Sequence, residues 1–214
     1  MGKKRIIDLT QTIGNHMPGA SIENAKTVAD DGWNATTLHL YSHSGTHMDA
    51  PIHFETTEQT IDELPVSHFI SEAWVVDITS ISPSEEIKVS HLGDVAHSFR
   101  KGESILLRSG WSKRAGTDSY RNSLPRIGKE LALWLGNNGV NILGVEPPSV
   151  ADVNNIEEVT EIHTILFKNK VIIIEGLTNL EALSKPKVTL IALPLKVAKG
   201  DGAPARVIAI ETEN

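Results

Sequence analysis

An α/β domain with a mixed sheet is the fold this sequence predicts, and three observations predict it. Seven short runs rich in β-branched residues punctuate the chain, three stretches carry apolar residues at helical spacing, and the two kinds of segment do not alternate strictly. At 214 residues the chain is long enough for one generous domain, and 40 % apolar with 22 % charged residues suits a chain that buries its own core. No internal repeat, low-complexity tract or long linker divides it, so a single domain over residues 1–214 is expected.

The strands are expected at Arg5 to Leu9, Trp74 to Thr79, Ser104 to Ser109, Asn141 to Val145, Lys170 to Ile174, Val188 to Leu193 and Ala205 to Ile210. Each is a short apolar run bounded by turn-forming or polar residues, the pattern of a buried strand. Leu92, Val95, Ala96 and Phe99 recur at helical spacing behind a cap at Ser90, with Gly102 placed to stop the turn. Ile127, Leu131, Trp134 and Leu135 do the same before Gly139, and Val159, Ile162 and Leu166 form a stripe over Glu157 to Phe167. The N-terminal third reads as strand and loop.

The formal charge of −7 argues against a nucleic-acid or anionic-membrane surface, either of which selects for clustered Lys and Arg. A small-molecule substrate is the better expectation, with no nucleic acid and no membrane among the partners. The longest apolar runs, Val171 to Ile174 and Val188 to Leu195, fall far short of the roughly 20 residues that span a bilayer. The basic start, Met1 to Arg5, is followed by Ile6, Ile7 and then Asp8, which leaves no room for a signal-peptide core. Ile6 also stands where myristoylation needs Ser or Thr, so a cytoplasmic protein is expected. With no cysteine, a metal must be held by His and carboxylate.

Three of the nine histidines fall within eleven residues, in His43-Ser-Gly-Thr-His47-Met-Asp49-Ala-Pro-Ile-His53. His43, His47, Asp49 and His53 share parity, so an extended chain points all four toward one face. A helix does not, and Gly45 and Pro51 both oppose one. Residues four apart on a fully extended chain lie roughly 13 Å from each other, so the chain must bend for two imidazoles to share an ion, and Gly45 permits the bend. Two nitrogens and one carboxylate then leave positions open for water. An isolated His is most often a packed or surface residue, and the clustering with Asp49 is what favours ligation here.

This segment resembles the signature His-x-Gly-Thr-His-x-Asp-x-Pro-x-His of the putative cyclase superfamily, which includes bacterial kynurenine formamidase and isatin hydrolase, with all seven fixed positions present. The resemblance continues through Ile7-Asp-Leu-Thr10, Met17-Pro18, Leu106 to Trp111, Ile173 to Leu177, Asn179-Leu180, Leu193 to Leu195 and Gly202 to Arg206. It implies a swivelling β/β/α fold, a homodimer or homotetramer, and a hydrolase of C–N bonds other than peptide bonds, such as an arylformamidase of tryptophan catabolism. By the same resemblance His43, His47 and Asp49 bind a first divalent ion, zinc or manganese. One or two ions per subunit are implied: a second, bridged by Asp49, would be completed by a His and a Glu twelve residues apart, the separation of His163 and Glu175.

A helix carrying His163 that turns at Lys168-Asn169-Lys170 and returns as a strand would present Glu175 at the strand's carboxyl end. A glutamate after four β-branched residues is costly to bury without a cation or hydrogen bonds, although Glu175 also reads as the start of a solvent-facing loop with His163 merely packed. The resemblance gives His53 the general acid and base role; a supporting role beside the metal is its alternative. In mechanism, the ion would lower the pKa of water from about 15.7 toward 7 for attack on an amide, formamide or lactam carbonyl, with His53 moving the proton. The same Lewis acid serves a polyketide-type cyclase, and a non-catalytic metal- or ligand-binding member is a third reading.

Two departures bear on the substrate. The Met17-Pro18 turn is followed by Gly19, Ala20 and Ser21 where kynurenine formamidases carry a Trp, so Trp33 is the candidate to supply a substrate-binding aromatic. Glu146 stands where relatives often have Asp, and a reshaped pocket floor is expected from its longer side chain.

Overall fold

In a computed structural model that describes residues 3–212, all seven β-branched runs form strands. Met1 and Gly2, on which the acylation question falls, lie outside the described residues. In chain order the strands are β1 (Lys4–Asp8), β2 (Ala20–Lys26), β3 (Ala35–Leu40), β4 (His47–Asp49), β5 (Ile70–Asp77), β6 (Glu86–Ile87), β7 (Ser104–Arg108) and β8 (Arg126–Ile127). They continue as β9 (Ile142–Val145), β10 (Ile172–Glu175), β11 (Lys187–Pro194) and β12 (Gly202–Thr212). The helices are α1 (Val28–Asp31), α2 (Val95–Ser98), α3 (Asp118–Asn122), α4 (Lys129–Asn137) and α5 (Ile156–Lys168).

Eight strands form one mixed sheet in the order β1-β12-β11-β5-β7-β9-β10-β4. Because β4 also pairs with β12, the sheet closes on itself as a barrel-like ring, with β1 continuing the far half of the long β12 edge. Strands β5, β7, β9 and β10 run parallel, while β4, β11 and β12 are joined to their neighbours by antiparallel pairings. The two-residue alternation of the strands divides their side chains between two cores. Leu106, Ile142, Ile172 and Ile174 point into the ring beside Met48, Ala203 and Val207. Ile105, Leu107, Leu143 and Ile173 point outward under Leu131 and Leu135 of α4 and Ile162, Leu166 and Phe167 of α5. Each such fully buried aliphatic contributes about 1.5–3 kcal/mol relative to exposure.

Helix α5 follows the expected stripe. The Asn155 side chain accepts from the Glu158 N–H at 3.2 Å, Glu157 and Glu158 occupy the first turn and Lys168 the last, all complementing the helix dipole. Of the other two helical expectations, one is broken in two and one, borne out over Leu131 to Leu135 as α4, is corrected at its start. Over Leu92 to Phe99, Gly93 at φ 53° splits the segment into a 3₁₀ turn at Val89–Leu92 and the single turn of α2, so Ser90 caps nothing. Ile127 belongs to β8, paired with Ile87 of β6, and α4 starts only at Lys129.

Candidate metal centre

The three-residue strand β4 carries the heart of the motif, and its two pairings set where each side chain points. Opposite β10, His47 stands against Glu175 and Asp49 against Ile173. Directly opposed residues share a face, so His47, Asp49 and Glu175 all face outward toward α5 while Met48 turns into the ring. Helix α5 brings His163 down onto that face, and all four side chains are buried. Parity thus places His47 and Asp49 but not the two outer histidines. His43 sits in a turn and returns through Gly45, whose φ of 64° is costly for any residue with a Cβ. His53 is carried on a 3₁₀ turn, Pro51–Phe54, opened by proline at its first position. The bend expected at Gly45 is thus present, and a second bend, at Pro51–Phe54, brings in His53, whose place shared parity alone does not give.

Each ring is oriented by what its second nitrogen touches. His47 Nδ1 donates to the Gly45 carbonyl at 2.9 Å and His163 Nδ1 to the Val159 carbonyl at 2.7 Å, which leaves both Nε2 atoms aimed at carboxylates. His47 Nε2 lies 3.2 Å from Glu175 and 3.5 Å from Asp49, and His163 Nε2 lies 3.6 Å and 3.7 Å from the same pair. His43 Nδ1 is 2.8 Å from Asp49 Oδ1. The His53 ring stacks on His43 with centroids 4.0 Å apart, and Phe54 stacks on His163 at 4.4 Å.

Charge explains the titration of the cluster. Burial alone drives imidazoles toward the neutral form, but here the carboxylates outweigh it. His43 is raised to about 9 by Asp49 and Asp201, and His163 to about 10 by Asp49 and Glu175. Burial likewise works against the charge on Asp49, and hydrogen bonds from His163 and His43 hold its pKa well below the carboxylate range. His53 is the exception: burial, and then the neighbouring His43 and His163 charges, keep it below its ordinary value, so it stays a neutral base.

Whether this cluster fits a divalent ion is decided by one atom. Among the described residues, His47 Nε2 is the buried side-chain polar atom left without a hydrogen-bond partner, and it points between two buried carboxylates. An acceptor nitrogen facing two acceptor oxygens needs a cation between them, a proton or a metal. His43, His47 and Asp49 can gather one donor atom each around a common point, and so can Asp49, His163 and Glu175, with Asp49 common to both groups. Imidazole and carboxylate donors of this kind are those that zinc and manganese accept.

All five expected metal ligands and His53 are therefore brought into one cluster, whereas Trp33 is not. Trp33 is 58 % exposed beyond α1, at the tip of the β2–β3 hairpin. The register from Ala20↔Leu40 to Lys26↔Ala35 carries it roughly 20 Å from the hairpin base at about 3.4 Å per residue, so within one chain it supplies no aromatic to this site. Glu146 is also redirected. Fully buried, its carboxylate accepts from Ser109 N and Oγ, Gly110 N, Trp111 N and Ser112 Oγ, so it pins the 109–112 turn instead of shaping a pocket floor.

Two residues escaped the sequence reading. Tyr41 places its ring 5.4 Å from His43 beside Gly19, with 59 % of its surface exposed. Asp201 reaches His43 Nε2 at 3.1 Å from the other end of the chain. Tyr41 offered only its nearness to the motif as a signal, and Asp201 only a carboxylate set before the small-residue run Gly202-Ala-Pro-Ala.

The profile of the family described as Putative cyclase matches residues 7–152. The chain is 31 % identical to kynurenine formamidase of Salinibacter ruber over 175 residues, covering 82 % of this chain and 79 % of the relative. It is 28 % identical to kynurenine formamidase of Bacillus cereus over 211 residues, covering 94 % and 95 %. In three dimensions it superposes on isatin hydrolase A of Labrenzia aggregata, solved with benzyl benzoate, with a TM-score of 0.89 at 25 % identity, over 98 % of this chain and 94 % of that one. With the family profile matched over well more than half its length and a relative above 30 % identity, this chain belongs to the putative cyclase family.

Proposed function

We propose that the protein is a metal-dependent hydrolase that opens a non-peptide C–N bond, in an aryl formamide or a cyclic amide, on a diffusible small molecule. The observation that carries this reading is the unpartnered His47 Nε2 aimed at two buried carboxylates, with neutral His53 stacked against the same cluster. Relatives named kynurenine formamidase and isatin hydrolase supply the bond class. His43, His47 and Asp49 would hold one ion, zinc or manganese, and Asp49, His163 and Glu175 would hold a second. When bound, such an ion polarises a carbonyl and makes water acidic enough to attack near neutral pH.

The protein's own residues then handle the proton. His53, 26 % exposed on the side chain and neutral, accepts it from the attacking water as the new C–O bond forms. As the C–N bond breaks with its electron pair on nitrogen, His53 returns the proton to that nitrogen. Tyr41, exposed beside His43, provides the aromatic surface that the Met17-Pro18 turn lacks, and so favours aryl substrates.

The reading includes a cytoplasmic homodimer or homotetramer. Among the described residues β2 and β3 pair only with each other, Leu38 on β3 and Val28 and Trp33 in their connection are exposed, and a lone two-stranded hairpin is marginal in water unless a second copy covers it. Light scattering tests that part. The activity is tested by metal analysis of the purified protein and turnover of aryl formamides, isatin-like lactams and simple esters with and without chelator. Chelator-sensitive amide hydrolysis is expected; a protein that takes up no stoichiometric divalent ion sinks the reading.

A further inference from the structure

We infer that Asp201 is a positioning residue that holds His43 and His53 in the tautomers their roles require, one carboxylate serving the metal ligand and the proton carrier together. This deepens the functional reading above and rests on it. Asp201 immediately precedes β12, and its carbonyl accepts from Ala50 N at 2.9 Å, so its backbone is fastened to the motif itself. Its Oδ2 lies 3.1 Å from His43 Nε2 and 3.5 Å from His53 Nδ1, against two rings stacked at 4.0 Å.

The next residue makes this placement possible. A Cβ on Gly202 would fall 2.8 Å from His43 Cε1 and 2.8 Å from the Met48 carbonyl, so the edge of the ring between its two nitrogens rests on a residue with no side chain. His43 consequently spans two carboxylates, Asp49 at Nδ1 and Asp201 at Nε2.

An ionised carboxylate only accepts, so each imidazole nitrogen facing Asp201 must carry the hydrogen. For His43 that keeps a hydrogen on Nε2 even when Nδ1, facing Asp49, carries one as well, so Nδ1 is the nitrogen that would give up its proton in exchange for an ion beside Asp49, the arrangement in which a carboxylate orients a ligating histidine. For His53 it puts the hydrogen on Nδ1 and leaves Nε2 bare to take a proton from water. The 3.5 Å contact is of the looser kind common at catalytic groups before substrate is bound. His43, His53 and Asp201 can themselves gather around an ion, and with Asp201 45 % exposed that alternative is kept as an outcome of the test.

The experiment compares wild type, Asp201→Asn and Asp201→Glu, whose backbone hydrogen bond to Ala50 is untouched by either change. In metal-free protein, ¹⁵N–¹H correlation of the ring nitrogens should show wild-type His53 protonated at Nδ1. In Asp201→Asn the His43 and His53 signals should shift, with Asp201→Glu restoring them in part. Titration against a competing chelator should show the first ion held about 10- to 100-fold more weakly in Asp201→Asn, at unchanged stoichiometry. Unchanged ring signals together with unchanged affinity overturn the inference, and so does loss of one ion from the stoichiometry, which makes Asp201 a ligand. If wild type binds no ion, the functional reading falls by itself, while the His53 ring signals of the metal-free proteins still decide whether Asp201 sets its tautomer.

Discussion

Removing the metal should give this protein an unusual dependence on alkaline pH, and the cluster allows the size of the effect to be worked out. Stripped of ions, the site balances its buried carboxylates with protons on the surrounding histidines. His43 has an ordinary pKa of 6.5 in the unfolded chain and about 9 in the folded one. Between those values the native state holds a proton that the unfolded chain has released, so stability falls as pH rises. The contribution is complete below pH 6.5 and gone above about 9. At about 1.4 kcal/mol for each pH unit in that interval, His43 alone accounts for on the order of 3 kcal/mol.

His163, raised to about 10, extends the decline to higher pH, but it shares Asp49 with His43 and the two effects do not add. Urea unfolding of the chelated protein, followed by circular dichroism at about pH 6.5 and about pH 9.5, is the assay. With a slope of roughly 2–3 kcal/mol/M, a loss of about 3 kcal/mol lowers the midpoint by on the order of 1 M. In the presence of zinc or manganese the sign should reverse, because the ion competes with these same protons and binds more tightly as they leave. A chelated protein whose midpoint stays flat or rises over this interval would refute the reasoning, since the buried carboxylates would then be balanced by something other than His43 and His163.

Three further outcomes are expected. His53→Ala should keep its metal and its fold yet lose about 10²- to 10⁴-fold in kcat, measured on the best aryl formamide; full activity would remove His53 from proton transfer. Tyr41→Ala should raise KM for aryl formamides more than for formamides of small alkyl amines, and an equal effect on both would deny Tyr41 the aromatic contact. Gly202→Ala must displace the His43 ring, so it should weaken the first ion and spare the second in a two-site calorimetric titration, whereas unaltered binding at both would show that the ring moves at no cost.

The parts of the fold written in local pattern were legible in the sequence: β5, β7, β9, β10 and β11 are runs whose apolar residues need no distant partner to be recognised. Helix α5 was legible for the same reason, since its cap at Asn155 and its stripe lie within one segment. What stayed hidden was decided elsewhere in the chain. Strand β4 is three residues long and extended only because β10 and β12 clasp it from either side. Gly93 broke a helical pattern that looked continuous through Leu92 and Val95. At the site, the grouping of His43, His47 and Asp49 rested on eleven adjacent residues and that of His163 with Glu175 on a family spacing. Asp201 and Tyr41 had no such local pattern, because what makes each of them notable is a neighbour reached through the fold.

The position of β4 in the ring also dictates when the site comes into being. His47 to Asp49 emerge from the ribosome before the strands that seat them, residues 172–175 and 202–204. Contacts between segments so far apart in sequence form late, after the loop-closure entropy of the intervening chain has been overcome. A nascent chain therefore carries its three motif histidines in an open, unassembled state until β10 and β12 have been made, and ion capture awaits those strands. A chain truncated between Glu175 and Gly202 should therefore leave the ribosome with its ring open and no Asp201 beside His43.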